Sequence, residues 1–439
     1  MPKIKLVSLI GLLYMGVCAT PAVALDLSLA DAITKITNES HDLKKATANL
    51  KKAEASLDAT NANRWFKLDA TASYMNLVNV ENPTKSMELK LPPEFGGLLA
   101  DSLGETGFPD NIFSAGLSLS QPIYTFGKIG NAVKSVKSAI KMSEASRELT
   151  RREVRYAAAD LYWTAKMTDE MVKLSEKDLK NARVAKQKLT SAGRANRSNL
   201  LKIESDIISK EVDLAYSKFN RDTAHRMLKI MAGIDVNEPL NLTDNFPKTF
   251  GELSAGTLET TPQWEILGEQ VNMYERLARS KRADSYPTLA ATASYSYMSM
   301  GGDIGHMFDT KGSQSAYWGL ALQVPIFNGG LNRANATIEA MNAEAAREDL
   351  AQAKKITTEQ YDNAISQYNM LRDNLASLEQ ARDLAAKTYE LSQNRFASGQ
   401  TSAVELADVS AGLYQLDVSV LKMKYQILMS AESIKKLGE

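Results

Sequence analysis

The sequence predicts an α+β membrane protein in which four strands per chain join copies of the chain in a β-barrel, and long α-helical coiled-coil segments continue from it. Three observations predict this. First, the chain carries an internal two-fold repeat: residues 70–74 and residues 291–295 both read Ala-Thr-Ala-Ser-Tyr, and further matched segments follow each copy in the same order. Second, Asn131 to Thr190 and Leu331 to Ser398 contain neither proline nor glycine. Third, four segments alternate apolar and polar residues with period two. A duplicated strand, strand, long-helix, turn, helix unit leaves few architectures open.

Taken in order, the chain begins with Lys3 and Lys5, an apolar run from Leu6 to Val17, and Ala22-Val23-Ala24. That is the charged, apolar, small-residue order of a secretory signal peptide, so residues 1–24 are expected to be a leader cleaved after Ala24. The run of about a dozen apolar residues is too short for a membrane-spanning helix. The single cysteine, Cys18, lies inside the leader. Val17 is bulky where a lipoprotein box wants a small residue, which argues against lipidation, and the mature chain then has no thiol for a disulfide, a metal site or a nucleophile.

Residues 25–250 read as the first repeat and residues 251–439 as the second, each ordered helix, two strands, long helix, helix. A helix is expected from about Leu29 to Asn63, and its counterpart from about Pro262 to Asp284. In the strands, Leu68, Ala70, Ala72 and Tyr74 share one face, as do Phe113, Ala115, Leu117 and Leu119. Leu289, Ala291, Ala293, Tyr295 and Tyr297, and then Trp318, Leu320, Leu322 and Val324, repeat the pattern. Apolar residues on one face, polar ones on the other and aromatics toward the ends form the transmembrane β-barrel pattern. Four strands cannot close a barrel, since small single-chain barrels need eight, and open edges in lipid cost several kcal/mol per unpaired group. A symmetric ring of copies is therefore required.

The two uninterrupted stretches, about 60 and 68 residues, give helices of roughly 90 to 100 Å. Leu406, Val409, Leu413, Leu416, Val420, Met423, Ile427 and Ile434 form one seam, and Tyr361, Ala364, Tyr368, Leu371, Leu375, Leu378, Ala385 and Tyr389 a second. A period of 3.5 held this long is a coiled-coil seam. Short breaks around Gly193 and Gly399 imply antiparallel helical hairpins, with glycine ending one helix and Ser, Thr or Asn starting the next. The stretch Gly233 to Thr260, holding Pro239, Pro247, Gly251 and Gly256, reads as a crossing linker.

The composition restricts function. Lysine plus arginine equals aspartate plus glutamate at 52 each, and removal of Lys3 and Lys5 leaves 50 against 52, a net charge of −2. That balance argues against a nucleic-acid partner. His41, His225 and His306 are scattered and no glycine loop cradles phosphate, so no enzyme activity and no cofactor is expected. Met298, Met300, His306 and Met307 offer soft-metal ligands in principle, but they read as spare side chains of an inter-strand loop, and no metal site is assigned.

Two junctions, Gln121-Pro122-Ile123-Tyr124-Thr125-Phe126-Gly127-Lys128 and Val324-Pro325-Ile326-Phe327-Asn328-Gly329-Gly330, together with Arg395-Phe396-Ala397-Ser398-Gly399-Gln400-Thr401, carry a resemblance. From about Leu27 to Leu437 the chain resembles the outer membrane efflux protein family, the TolC-like exit ducts of Gram-negative bacteria. The resemblance implies a homotrimer whose twelve strands form one barrel in outer-membrane lipid, with a helical tunnel through the periplasm. It also implies two partners, a periplasmic adaptor protein and an inner-membrane pump or ABC-type secretion transporter.

By the same resemblance, the helical tips dock the adaptor, here Ala192, Gly193, Arg194 and Asn196, and Ser398, Gly399, Gln400 and Thr401. Family members narrow the periplasmic aperture with acidic rings and polar links; by position these fall on Asp383 and Glu390, with Arg382 as a link. Pro122 and Gly127, and Pro325, Gly329 and Gly330, end the strands and turn the chain into the long helices. The segment Glu81 to Asn111 exceeds its counterpart by about 18 residues and reads as an extracellular loop or lid. The expected function is a passive exit duct of a tripartite efflux pump or type I secretion system. The competing class is a non-transporting coiled-coil adhesin or scaffold of the envelope.

Overall fold

The computed structural model describes residues 24–76, 111–191, 197–254, 258–301 and 312–438, with residues 300 and 301 as backbone. The leader up to residue 23, residues 81–110 of the long loop, His306, Met307, and the first tip with Ala192, Gly193, Arg194 and Asn196 lie outside the described residues. In order, the elements are β1 (Leu25–Leu27), α1 (Leu29–Glu39), α2 (His41–Ala62), β2 (Lys67–Asn76), β3 (Asn111–Tyr124), α3 (Lys128–Ser191) and α4 (Arg197–Met231). They continue with β4 (Leu240–Leu242), α5 (Pro262–Arg282), a 3-10 turn (Ala283–Ser285), β5 (Thr288–Gly301), β6 (Ser313–Gln323), α6 (Leu331–Ala397) and α7 (Ala403–Gly438). The chain divides into two compact units, one of residues 1–46, 147–261 and 354–439, the other of residues 47–146 and 262–353.

The second of these, the sheet unit, holds an antiparallel sheet in the order β2-β3-β5-β6. Its register aligns the alternation of all four strands. Leu68 lies opposite Leu119, Ala70 opposite Leu117 and Ala72 opposite Ala115; Leu117 faces Tyr295 and Leu119 faces Ala293; Ala291 faces Leu320 and Ala293 faces Trp318. A one-residue slip anywhere would mix the faces, so one side of the sheet is apolar along its middle, with Gln121, Gln314, Ser299, Asn76 and Asn111 on that side toward the ends. On the other side Ser73 and Ser114 share a hydrogen bond of 2.7 Å, as do Ser296 and Ser315. The outer edges of β2 and β6 have no strand partner among the described residues. Below the strands, Val271 and Ala278 of α5 are buried in the same unit as Val133, Ala145, Ala336, Ala343 and Ala346; small side chains let helices approach closely.

The helical unit has a core of Leu27, Ala32, Ile36, Ala158, Ala159, Tyr162, Trp163, Leu228, Ile234 and Leu242. Tyr162 is fully buried, and its hydroxyl donates to Leu27 O (3.2 Å) or Asp244 Oδ2 (2.8 Å) while accepting from Asp244 N (3.1 Å). Burial pushes this phenol well above its ordinary pKa.

Three features differ from the sequence expectation. The helix expected from Leu29 to Asn63 breaks at Ser40, whose ψ of 118° leaves the helical region and whose Oγ accepts from Leu43 N at 3.2 Å, capping α2. The crossing linker also contains a strand that the sequence reading does not include: β4 pairs in parallel with β1. Tyr368 OH further donates to Gly251 O (3.0 Å) and Asn369 Nδ2 to Leu253 O (2.8 Å), pinning the chain to α6. Finally, Pro122 does not end β3, which runs to Tyr124 across an irregularity between Pro122 and Tyr124, whereas β6 stops before Pro325. A bulge accommodates the missing N–H in the interior strand.

Candidate functional site

At both strand-to-helix turns the chain passes through two consecutive residues of positive φ: Phe126 (48°) and Gly127 (84°), then Gly329 (65°) and Gly330 (84°). Lys128 N donates to Thr125 O (3.0 Å) and Leu331 N to Asn328 O (3.3 Å), so the two turns close alike. Glycine is favoured there because the left-handed region costs a side chain roughly 1–2 kcal/mol, which Phe126 bears. Phe126 is held between Tyr124 and Tyr286, with ring centroids 4.6 and 5.9 Å away. Asp284 Oδ1 lies 2.8 Å from Lys128 Nζ, an ion pair that ties the turn after β3 to the turn before β5.

Trp65 and Phe66 precede β2, Tyr124 and Phe126 close β3, Tyr286 precedes β5 and Phe327 follows β6; all six rings are exposed and lie at the same end of the sheet. Such a girdle marks a membrane–water interface. The sequence reading placed aromatics toward strand ends without identifying this ring; the strand register brings it together.

At the second tip, α6 ends in a Schellman turn. Gly399, at φ 80°, donates to Phe396 O (3.0 Å) and Gln400 N to Arg395 O (2.8 Å). Ser402 Oγ then accepts from Glu405 N (3.2 Å), starting α7. Phe396, Ala403 and Leu406 are buried with Tyr389, Ala185, Leu189 and Ile203. The apex is therefore a rigid hairpin, with Gly399, Gln400 and Ser402 on the surface.

Behind the tip sits a polar brace that the sequence reading missed. Lys210 Nζ lies 2.6 Å from Asp178 Oδ2, both side chains about nine-tenths buried, and Ser410 Oγ donates to Asp178 Oδ1 at 3.0 Å. One carboxylate thus joins α3, α4 and α7. Asp206 lies 3.8 Å from Lys210, and desolvation holds its pKa above the ordinary value. Farther along, Ser175 hydrogen-bonds Ser217 (3.1 Å) and Tyr414 (3.0 Å). The surface pairs Lys186–Glu204, Arg183–Glu211 and Lys218–Glu176, at 2.9, 2.8 and 3.2 Å, fix the antiparallel register of α3 and α4. A Lys and an Asp within solvated helices carry no sequence signal that they meet; the i,i+4 relation of Asp206 to Lys210 was the one readable hint.

Of the aperture candidates, Asp383 and Glu390 are exposed on α6. Arg382 bridges two helices: its Nε donates to Asp417 Oδ1 of α7 at 2.6 Å and its Nη1 to Asp383 at 3.0 Å. Those hydrogen bonds, to Asp417 first, raise the guanidinium pKa still further. Lys424 of α7 adds a 2.8 Å pair with Glu379 of α6. Among the described residues no helix is long and apolar enough to cross a membrane.

Comparison with known proteins agrees with this geometry. The profile described as outer membrane efflux protein matches residues 32–233 and 269–438. The chain is 21% identical over 416 residues to the probable outer membrane lipoprotein SilC of Salmonella typhimurium, covering 91% of this chain and 83% of SilC. It is 22% identical over 417 residues to the cation efflux system protein CusC of Escherichia coli O157:H7, with 91% and 83% covered. A crystal structure of CusC superposes with a TM-score of 0.78 at 19% identity, over 94% of this chain and 93% of that one. With the family profile matching most of its length, the chain belongs to the outer membrane efflux protein family and resides in the outer membrane of a Gram-negative bacterium with a periplasmic extension.

Proposed function

We propose that the protein is a passive, trimeric exit duct: three copies close a twelve-stranded barrel, the helices continue it as a tunnel, and the tips dock a periplasmic adaptor that links it to an inner-membrane transporter. The observation that carries this reading is the sheet, apolar along the middle of one side and, among the described residues, open at both edges. Open edges in lipid are not tolerated, so β6 of one copy must meet β2 of the next. Two exposed apolar seams in the helical unit support the same assembly. Ile208, Val212, Tyr216 and Phe219 step along α4 by three and four, and Ile356, Met370, Leu384 and Leu391 recur on α6 at multiples of seven. Both are seams of coiled-coil period that no described residue covers.

The docking surface on this reading comprises Ala192, Gly193, Arg194 and Asn196 with Ser398, Gly399, Gln400 and Thr401. The aperture is assigned to Asp383 and Glu390, restrained by the Arg382–Asp417 bridge between α6 and α7. The similarity to CusC, named for cation efflux, favours a tripartite efflux pump over type I secretion; the transported substrate is selected by the inner-membrane partner.

Planar-bilayer recording from the purified protein, with native mass spectrometry of the same sample, tests this. A trimer with discrete conductance steps is expected; a folded monomer or a silent bilayer sinks the duct and favours an envelope scaffold. In the same recordings, Asp383→Asn with Glu390→Gln should lower cation preference and block by divalent cations, and Arg382→Ala should raise basal conductance. Unchanged selectivity would move the gate elsewhere.

A further inference from the structure

Within the helical unit, α3 and the C-terminal end of α7 enclose a cavity of about 50 Å³ lined by Arg151, Arg152, Arg155, Tyr156, Glu432, Lys435 and Lys436. Five cations meet there. Glu432 pairs with Lys435 at 2.7 Å, while a single acid, Glu148, serves both Arg151 at 2.8 Å and Arg152 at 3.3 Å. One carboxylate cannot neutralise two guanidiniums, and Lys436 adds a further positive charge from the other helix.

Arg152 marks where the surplus is aimed. One edge of its guanidinium, Nε, donates to Glu148 Oε1, while Nη1 is buried with no hydrogen-bond partner among the described residues. A buried charged donor is among the costlier groups to leave unsatisfied, and the guanidinium fork matches tetrahedral oxyanions. Lys436 Nζ stands 5.0 Å over the Tyr156 ring, which fixes a second cation in the wall. The cavity has room for roughly four water-sized spheres, about the bulk of one phosphate group.

We propose that this cavity binds a phosphate-type oxyanion, and that the bound anion ties α3 to the end of α7. A divalent anion fits better than a single carboxylate because Arg151 and Arg152 share one acid and Lys436 stands in the same wall. The site is unrelated to the tips and to the aperture, so its occupancy adjusts how firmly two helices are held without touching the docking surface.

The test uses the full-length protein purified in detergent, in phosphate-free buffer at fixed ionic strength, titrated with inorganic phosphate by calorimetry and followed by thermal unfolding. Saturable binding and a rising Tm are expected, with no comparable effect of sodium chloride. Arg152→Met should weaken binding by roughly tenfold or more, the loss expected for a charge-assisted hydrogen bond. If that variant fails to fold, Lys436→Gln, at a partly exposed position, should still weaken phosphate binding several-fold. Glycerol 3-phosphate in a parallel titration separates the sources: binding of both ligands identifies a phosphate ester as acceptable, and binding of inorganic phosphate alone identifies the free ion. Absence of saturable binding, an equal response to chloride, or undiminished binding in every variant that folds overturns the proposal.

Discussion

The sheet unit and the helical unit treat polarity in opposite ways. The sheet turns Trp318 and Leu320 outward, 87% and 69% exposed, and gathers most of its serine, threonine and glycine on the other face, together with Asp69 and Tyr317. The helical unit buries Tyr162 and Ile427 completely and elsewhere buries the pair Lys210 and Asp178. The difference follows from the solvent each must satisfy. A strand face in lipid gains by being apolar and has no use for charge, whereas helices bathed in water bury apolar seams and admit a charge where a partner answers it.

The sharpest way to break that contrast is to leave one buried charge unanswered. Lys210→Met strands Asp178 and should destabilise the helical unit by about 3–5 kcal/mol, while Lys210→Met with Asp178→Leu should recover most of it. Thermal unfolding of the single and double variants decides; equal melting points for both would mean that the brace contributes nothing specific. On the sheet the corresponding error is a charge on the lipid face. Leu320→Lys should cost up to about 4 kcal/mol per chain and deplete the protein from the outer-membrane fraction, while Ser118→Lys, on the opposite face, should insert normally. Equal insertion of the two would reverse the assignment of faces.

A smaller effect belongs to the apex. Gly399→Leu places a side chain at φ 80°, costing about 1–2 kcal/mol, so the trimer should still assemble while export in a whole-cell efflux assay is lost. Normal export would remove docking from this tip. The smallest concerns Asp206, whose pKa is raised by desolvation. A carboxyl with a raised folded-state pKa stabilises below the ordinary carboxylate range and loses that contribution as pH rises through the raised value. Asp206→Asn should therefore melt slightly above the parent at pH 7, and the gap should close as pH falls into the carboxylate range. A gap that does not vary with pH would assign the effect to packing.

How much was legible beforehand depended on the range of the interaction. The tip at Gly399 and the junction glycines were readable because a positive φ is a local demand that glycine meets best. The strands were readable because lipid on one side imposes period two, and the long helices because neither proline nor glycine interrupts them. Phe126, which adopts a positive φ without being glycine, was not readable: Tyr124 and Tyr286 hold it from two separate strand ends.

The sequence by itself therefore determined the matched segments, the element types and the alternation along the strands, all of which follow from periodicity and backbone chemistry within short windows. Only the tertiary structure decided the register that aligns four apolar faces, the aromatic girdle at one end of the sheet, and the pairing of β1 with β4 across more than two hundred residues. It also decided that Asp178 meets Lys210 and Ser410, and that five cations line one cavity. Those depend on which helices and strands become neighbours, and residues far apart along a chain acquire a common environment only when burial of their seams fixes the distance between them.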